Sequence, residues 1–219
     1  MSLAHDTFSG TADTALDTHT ADTGQSWITG VAGFSAALTG SGGVYANPAS
    51  AVQNHNILVV TPPSADYSVE ADITFSGSNA QDLGLWVRAL STADTGYRLV
   101  TDIINTPGST EWQLYSGIAG SYTQIGIYVG TGPPGPFHAK LSAVGTTITV
   151  NIDGTDRIIV TDSNVSAAGN PGIQCVMAGG AADAGSNISN LTVTDLSGGG
   201  GGGPVSPFVF RSFRTSPRR

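Results

Sequence analysis

Two Asp-Thr-Gly triplets, Asp22-Thr23-Gly24 and Asp94-Thr95-Gly96, each follow Thr-Ala. A pair of such triplets can bring two carboxylates together to share one proton, the chemistry of acid peptide hydrolysis. Their flanks argue against it. Thr18-His19-Thr20-Ala21 and Leu90-Ser91-Thr92-Ala93 are loop-like rather than the ends of apolar strands, and Asp and Gly are ordinary turn residues. Glu70 and Asp72 stand two apart, so they share one face of a strand whose other face is core. His5, His19, His55 and His138 show no metal-ligand spacing. Nucleophile elbows and phosphate-binding glycine loops are absent. Asp153 and Asp156 are the calcium candidates, set against the simpler reading in which Asp153 makes a turn. Beyond that calcium, no cofactor is expected.

A binding face emerges from strand parity. In Leu83–Leu90, Leu85 and Val87 point one way, and Trp86 and Arg88 the other. In Tyr97–Ile104, Arg98 and Asp102 oppose Leu99 and Ile103. In Glu111–Ser116, Gln113 and Tyr115 oppose Trp112 and Leu114. One face then presents Trp86, Arg88, Arg98, Asp102, Gln113 and Tyr115. Rings that stack on sugar C–H patches, with fixed polar groups for hydroxyls, are what a glycan needs. The competing reading is an ordinary mixed outer face, with Trp86 filling a gap under a loop.

The elements that position these residues are strands. In Gly145–Asp162, Ile148, Val150 and Ile152 alternate with Thr147, Thr149 and Asn151, the period of a half-buried strand. Asp153-Gly154 then predicts a type I′ hairpin, because both central residues need φ > 0. Phe137–Val144 precedes it as a third strand of the meander. Further strands are expected at Asn56–Val60, Tyr67–Phe75, Asp82–Leu90, Tyr97–Ile104, Glu111–Ser116, Tyr122–Val129, Gly172–Ala178 and Asn187–Leu196. Residues 5–24 read as a strand followed by a long surface loop, with Trp27, Phe34 and Leu38 the first core residues. Only Glu70 and Glu111 are glutamates, a composition that disfavours helix surfaces. Many short strands at such spacing predict an all-β sandwich or barrel.

Charge is unevenly placed. Residues 1–196 hold sixteen acids against Arg88, Arg98, Lys140 and Arg157, a net −12, which argues against nucleic-acid binding by the body. The single cysteine, Cys175, lies in an apolar run and is expected to be a buried hydrophobe. The start, MSLAHDTFSG, shows no signal peptide, and no membrane span is visible.

The order Asp6-Thr7-Phe8, His19, Asp22-Thr23-Gly24, Trp27, Tyr67-Ser-Val-Glu-Ala-Asp72, Gly84-Leu-Trp-Val-Arg88, Gly96-Tyr97-Arg98-Leu99, Ile152-Asp153-Gly154 and Asn190-Leu191-Thr192-Val193 resembles a concanavalin A-like (laminin-G-like) jelly roll. The resemblance covers about residues 5–196. It implies two stacked antiparallel sheets, with glycan binding common. Such domains recur in bacteriophage tail and virion proteins and in secreted carbohydrate-active proteins. The jelly-roll glucanases carry Glu-x-Asp-x-Glu on one strand; here Thr74 stands at the last position, so the second carboxylate of a retaining pair is missing.

The domain reading is therefore a jelly roll over 1–196, a polyglycine linker over 197–203 and a C-terminal arm over 204–219. The arm interleaves Phe208, Phe210 and Phe213 with Arg211 and Arg214 and carries +4. The first functional expectation is a non-enzymatic bacteriophage virion protein, assembled in the host cytoplasm. Its jelly roll would face outward for decoration or adhesion to host glycans, and the arm would anchor it to neighbouring subunits in an oligomeric assembly. The alternative is a stand-alone carbohydrate-binding module or lectin. A glycoside hydrolase ranks below both.

Overall fold

The computed structural model describes residues 1–30, 35–47, 54–76, 81–102, 109–131, 135–177 and 184–200. Phe34, the remainder of the polyglycine linker and the whole arm with Phe208, Phe210, Arg211, Phe213 and Arg214 lie outside the described residues. The strands, in chain order, are β1 (Ser2–Asp6), β2 (Trp27–Thr29), β3 (Ala37–Leu38), β4 (Val44–Tyr45), β5 (Asn54–Leu58), β6 (Tyr67–Thr74), β7 (Gln81–Leu90), β8 (Thr95–Asp102), β9 (Ser109–Ile118), β10 (Ser121–Thr131), β11 (Phe137–Val144), β12 (Thr147–Ile152), β13 (Thr155–Thr161), β14 (Asn170–Met177) and β15 (Asn187–Asp195).

They form two antiparallel sheets. One runs β13-β12-β11-β6-β15-β4-β3, with β1 added on β15; the other runs β10-β9-β8-β7-β14-β5-β2. The ends of the body meet where Ser2 pairs with Thr194. Between the sheets lies one core. Ile73, Phe75, Ile148, Val150, Ile152 and Cys175 are all buried in it, as the alternation predicts. Each large apolar side chain so buried contributes about 1.5–3 kcal/mol. Asp153 (φ 52°) and Gly154 (φ 78°) make the predicted turn between β12 and β13.

Within residues 5–24 the expected opening strand is present as the end of β1, but the part expected as a surface loop differs from its reading. Phe8, Leu16 and Ala21 enter the core from it. A buried carboxylate organises them. Asp6 is fully buried, and its oxygens accept the Phe8 amide (2.7 Å) and the Trp27 indole N–H (2.7 Å) and meet His19 Nε2 at 3.0 Å. Polar composition concealed this, because the polar side chains satisfy one another.

Candidate functional site

The outer face of the seven-stranded sheet follows directly from its core face. Leu85, Tyr97, Leu99, Trp112, Leu114, Ile173 and Cys175 point inward, so Trp86, Arg98, Gln113, Tyr115 and Gln174 point outward. Three of the residues expected there, Trp86, Arg98 and Tyr115, meet. The Arg98 guanidinium lies 4.0 Å from the ring centre of Tyr122, 5.1 Å from Tyr115 and 5.7 Å from Trp86. Its Nη1 donates to Gln174 Oε1 at 3.1 Å. Gln113 joins them through its side-chain oxygen, which accepts the Tyr115 hydroxyl, while its amide donates to Glu111. Asp102 ends β8, and only its backbone is described.

Strand glycines make this packing possible. A Cβ on Gly96 would fall 3.1 Å from the Trp86 ring, and one on Gly117 would fall 2.6 Å from the Tyr122 ring. Both rings therefore lie on bare backbone. Arg98 reaches Gln174 across β7, where the residue paired with Gln174 is Gly84. In-strand glycines of this kind mark close approach, and they are the signal in the sequence that would have drawn Tyr122 and Gln174 into the site.

Arg88 is a correction. Simple alternation puts it beside Trp86, but the β7–β8 register shifts between Val87 and Leu90, and Arg88 adopts φ 56°. A bulge re-aims a side chain in this way. The guanidinium is 1% exposed. Nε donates to Ala65 O (2.9 Å), Nη1 to Val165 O (2.8 Å) and Nη2 to Gly145 O (2.8 Å), with Asp66 at 3.4 Å. Arg88 thus ties together the loops at one end of the sandwich. Beside it the Tyr97 phenol donates to Asp162 Oδ1 at 2.7 Å, and burial followed by that carboxylate pushes it up to about 12.

That same end carries the openings of the face. A pocket of about 10 Å³ lies among His55, Ile57, Trp86, Leu90 and Asp94. A wider, open depression of about 430 Å³ lies between Thr92–Asp94 and Ala119–Gly120. His55 packs edge-on to Trp86, with ring centres 5.0 Å apart, and its Nδ1 is 3.7 Å from Asp94 Oδ1. Burial lowers the His55 imidazole to about 4; Asp94 pulls it up and Arg98 pushes it down. Burial, then Asp94, raises the Tyr122 phenol. Burial likewise lowers the Arg98 guanidinium, against the pull of Tyr122, Asp94, Tyr115 and Asp82. Trp86 Nε1 and Arg98 Nε are buried with no acceptor among the described residues. Trp86 is only 4% exposed, so the ring is a wall of the site and not the open stacking platform that parity suggests.

The other chemical candidates occupy separate places. Asp22 accepts the Thr7 amide (3.0 Å) and hydroxyl (2.8 Å), and the hydroxyl bond leads in holding its carboxyl below the usual range. Asp94 faces His55 instead, so the two triplets have no common partner. Glu70 and Asp72 lie on the outer face of the other sheet. There Lys140 Nζ is 3.4 Å from Glu70, while His138 Nδ1 (2.9 Å) and Asn190 (2.8 Å) bind Asp72. Burial works to raise Asp72, and the bonds from Asn190 and His138 outweigh it. Glu111 is on the opposite sheet from this pair. Asp153 accepts the His138 amide at 2.9 Å, and Asp156 accepts from Asn151 at 2.8 Å, which gives both calcium candidates structural roles in the hairpin. Among the described residues no three His, Cys, Asp or Glu side chains gather as a metal site, and no helix is long and apolar enough to cross a membrane.

No protein-family model matches the chain, and no curated protein matches it in sequence. Solved structures do match. The carbohydrate binding module CBM66 from Bacillus subtilis is similar at 20% identity over 77% of this chain and 92% of that one, with a TM-score of 0.56. The exoplasmic/lumenal domain of VIP36 in its Ca2+/Man3GlcNAc-bound form is similar at 10% identity over 78% and 83%, also with a TM-score of 0.56. Its metal-free form matches over 85% and 92%, with a TM-score of 0.54. Strand order, sheet pairing and these likenesses agree, and the fold of this chain is the concanavalin A-like jelly roll.

Proposed function

We propose that the chain is a non-catalytic carbohydrate-binding module or lectin whose sugar site is the outer face of the seven-stranded sheet around Arg98. One observation carries this reading. Trp86, Tyr115 and Tyr122 converge on a single guanidinium, at an end of the face where an open depression of about 430 Å³ lies and where buried donors lack acceptors among the described residues. Aromatic walls with a few fixed polar groups suit a sugar. The names of the similar structures, a carbohydrate binding module and a mannose-bound domain, support the same reading. Thr74 in place of a second glutamate, and Glu111 on the far sheet, leave glycoside hydrolysis without its carboxylate pair. The test is a glycan array probed with the body and with Tyr115→Ala. The reading expects at least one glycan bound by the wild type and lost or weakened about tenfold in the variant. A blank array, or equal binding by both proteins, rejects it.

Display on a bacteriophage particle is a second reading, favoured only by the sequence of the arm, whose four arginines oppose a body of net −12. The comparisons support sugar binding rather than a virion. Deletion after Leu196 tests it: the body should still fold, and a subunit that normally joins a particle should no longer do so.

A further inference from the structure

The sugar face has a charge balance that selects among glycans. Among the described residues, Arg98 is the only Lys or Arg on it. Arg88 turns into the sandwich, Lys140 lies on the other sheet, and Arg157 stacks on Tyr128 (4.8 Å) at the sandwich edge. Asp82 shares the outward face of β7 with Gly84 and Trp86, since Leu83 and Leu85 face the core, and Asp94 stands at the rim 3.7 Å from His55; both favour the charged form of Arg98. Glu111 stands further along β9 and accepts from Gln113. His55 brings no compensating positive charge at neutral pH. One guanidinium thus faces two nearby carboxylates, within a body of net −12.

The hydrogen-bond inventory points the same way. Trp86 Nε1 and Arg98 Nε can only donate. Both belong to side chains at least nine-tenths buried, 4% and 9% exposed, and neither has an acceptor among the described residues. Leaving such a donor unmade costs more than an ordinary hydrogen bond returns, so an acceptor oxygen brought to it is favoured. Asp94, at the rim with its side chain 21% exposed, can only accept when ionised. Beside the Tyr122 hydroxyl and His55, its exposed edge can take a further donor. A sugar ring with ether and hydroxyl oxygens answers both needs, because each hydroxyl accepts and donates. A uronate or sialate carboxylate supplies acceptors but no proton for Asp94, and adds like charge where two carboxylates already lie.

Building on the sugar-binding reading, we infer that the ligand is an uncharged, hydroxyl-rich glycan, and that Asp82 and Asp94 exclude glycans carrying carboxylates. The experiment compares matched pairs by isothermal titration: a sialylated oligosaccharide against its desialylated form, and a neutral hexose oligomer against its uronate counterpart. The neutral member of a pair should bind at least tenfold more tightly at low salt, and the gap should shrink as salt rises. Asp82→Asn, checked for folding by near-ultraviolet circular dichroism, should raise the ratio of acidic to neutral affinity about threefold or more. If acidic glycans bind as tightly as their neutral partners, or Asp82→Asn leaves the ratio unchanged, the exclusion is wrong while sugar binding stands. If no member of any pair binds, sugar binding itself fails and this inference falls with it.

Discussion

Arg98 lies with its guanidinium carbon 4.0 Å from the centre of the Tyr122 ring, the tightest of its three aromatic contacts. Desolvated cation–π contacts are worth about 2 kcal/mol. Tyr122 is half-buried and packs edge-on to Trp86, with ring centres 6.2 Å apart. Tyr122→Ala should therefore lower unfolding stability in urea by about 2–3 kcal/mol and weaken glycan binding as well. Tyr115→Ala, at a partly exposed ring, should weaken binding with a stability loss of about 1 kcal/mol or less. Equal stability losses in the two variants would contradict this division.

Trp86 calls for a gentler probe than truncation. Because the indole is buried, Trp86→Ala should cost about 3–5 kcal/mol through the cavity it leaves, and a binding loss would then be ambiguous. Trp86→Phe keeps most of the ring and removes the unpartnered Nε1 donor. It should retain the fold by circular dichroism and weaken glycan binding several-fold. Unchanged affinity would show that the donor does not reach the sugar.

Arg88 should behave as a structural clamp. Its three carbonyl partners, on Ala65, Val165 and Gly145, belong to three different loops. Removing one side of a buried charged network typically costs about 3–5 kcal/mol. Arg88→Met should lose that much in chemical denaturation, and its loops should show faster amide exchange around 65–66, 145 and 165. A variant as stable as wild type would mean that these bonds contribute little.

Acid sensitivity should come from His55. The imidazole titrates near 6.5 when unfolded and near 4 when folded. Between those values the unfolded chain binds more protons, so stability is greatest above about 6.5 and falls as pH drops toward 4. The loss across that window is on the order of 2–3 kcal/mol. Asp22 and Asp72 are held below 3.8, so their contributions are lost only on further acidification. Urea titrations from pH 7 to 4 should show the decline in the wild type and a flatter profile in His55→Gln. Parallel profiles would place the acid sensitivity elsewhere.

Much of the fold was legible because one face of nearly every strand is buried, and period-two alternation reports that directly. Ile148, Val150 and Ile152 fell where their pattern placed them. The very short strands Ala37–Leu38 and Val44–Tyr45 were not legible, since two residues show no period. Neither was the Asp6 knot, whose partners at His19 and Trp27 meet only in the folded chain. For the site, parity correctly grouped Trp86, Arg98, Gln113 and Tyr115 on one face. It failed at Arg88, where a bulge breaks the alternation that parity assumes. His55 and Asp94 were missed because they come from distant strands and a turn, and only the sheet order β7-β14-β5 brings them together.

The most direct test places the sugar on one sheet or the other. The best glycan from the array would be titrated calorimetrically into wild type, Arg98→Gln and Lys140→Gln, each confirmed folded by its unfolding transition. Arg98 is the centre of the proposed face, and Lys140 sits on the outer face of the opposite sheet beside Glu70. Arg98→Gln should lose at least tenfold in affinity, with Lys140→Gln within twofold of wild type. Wild-type affinity in Arg98→Gln, with the loss in Lys140→Gln instead, would put the sugar on the other sheet and contradict the proposed site.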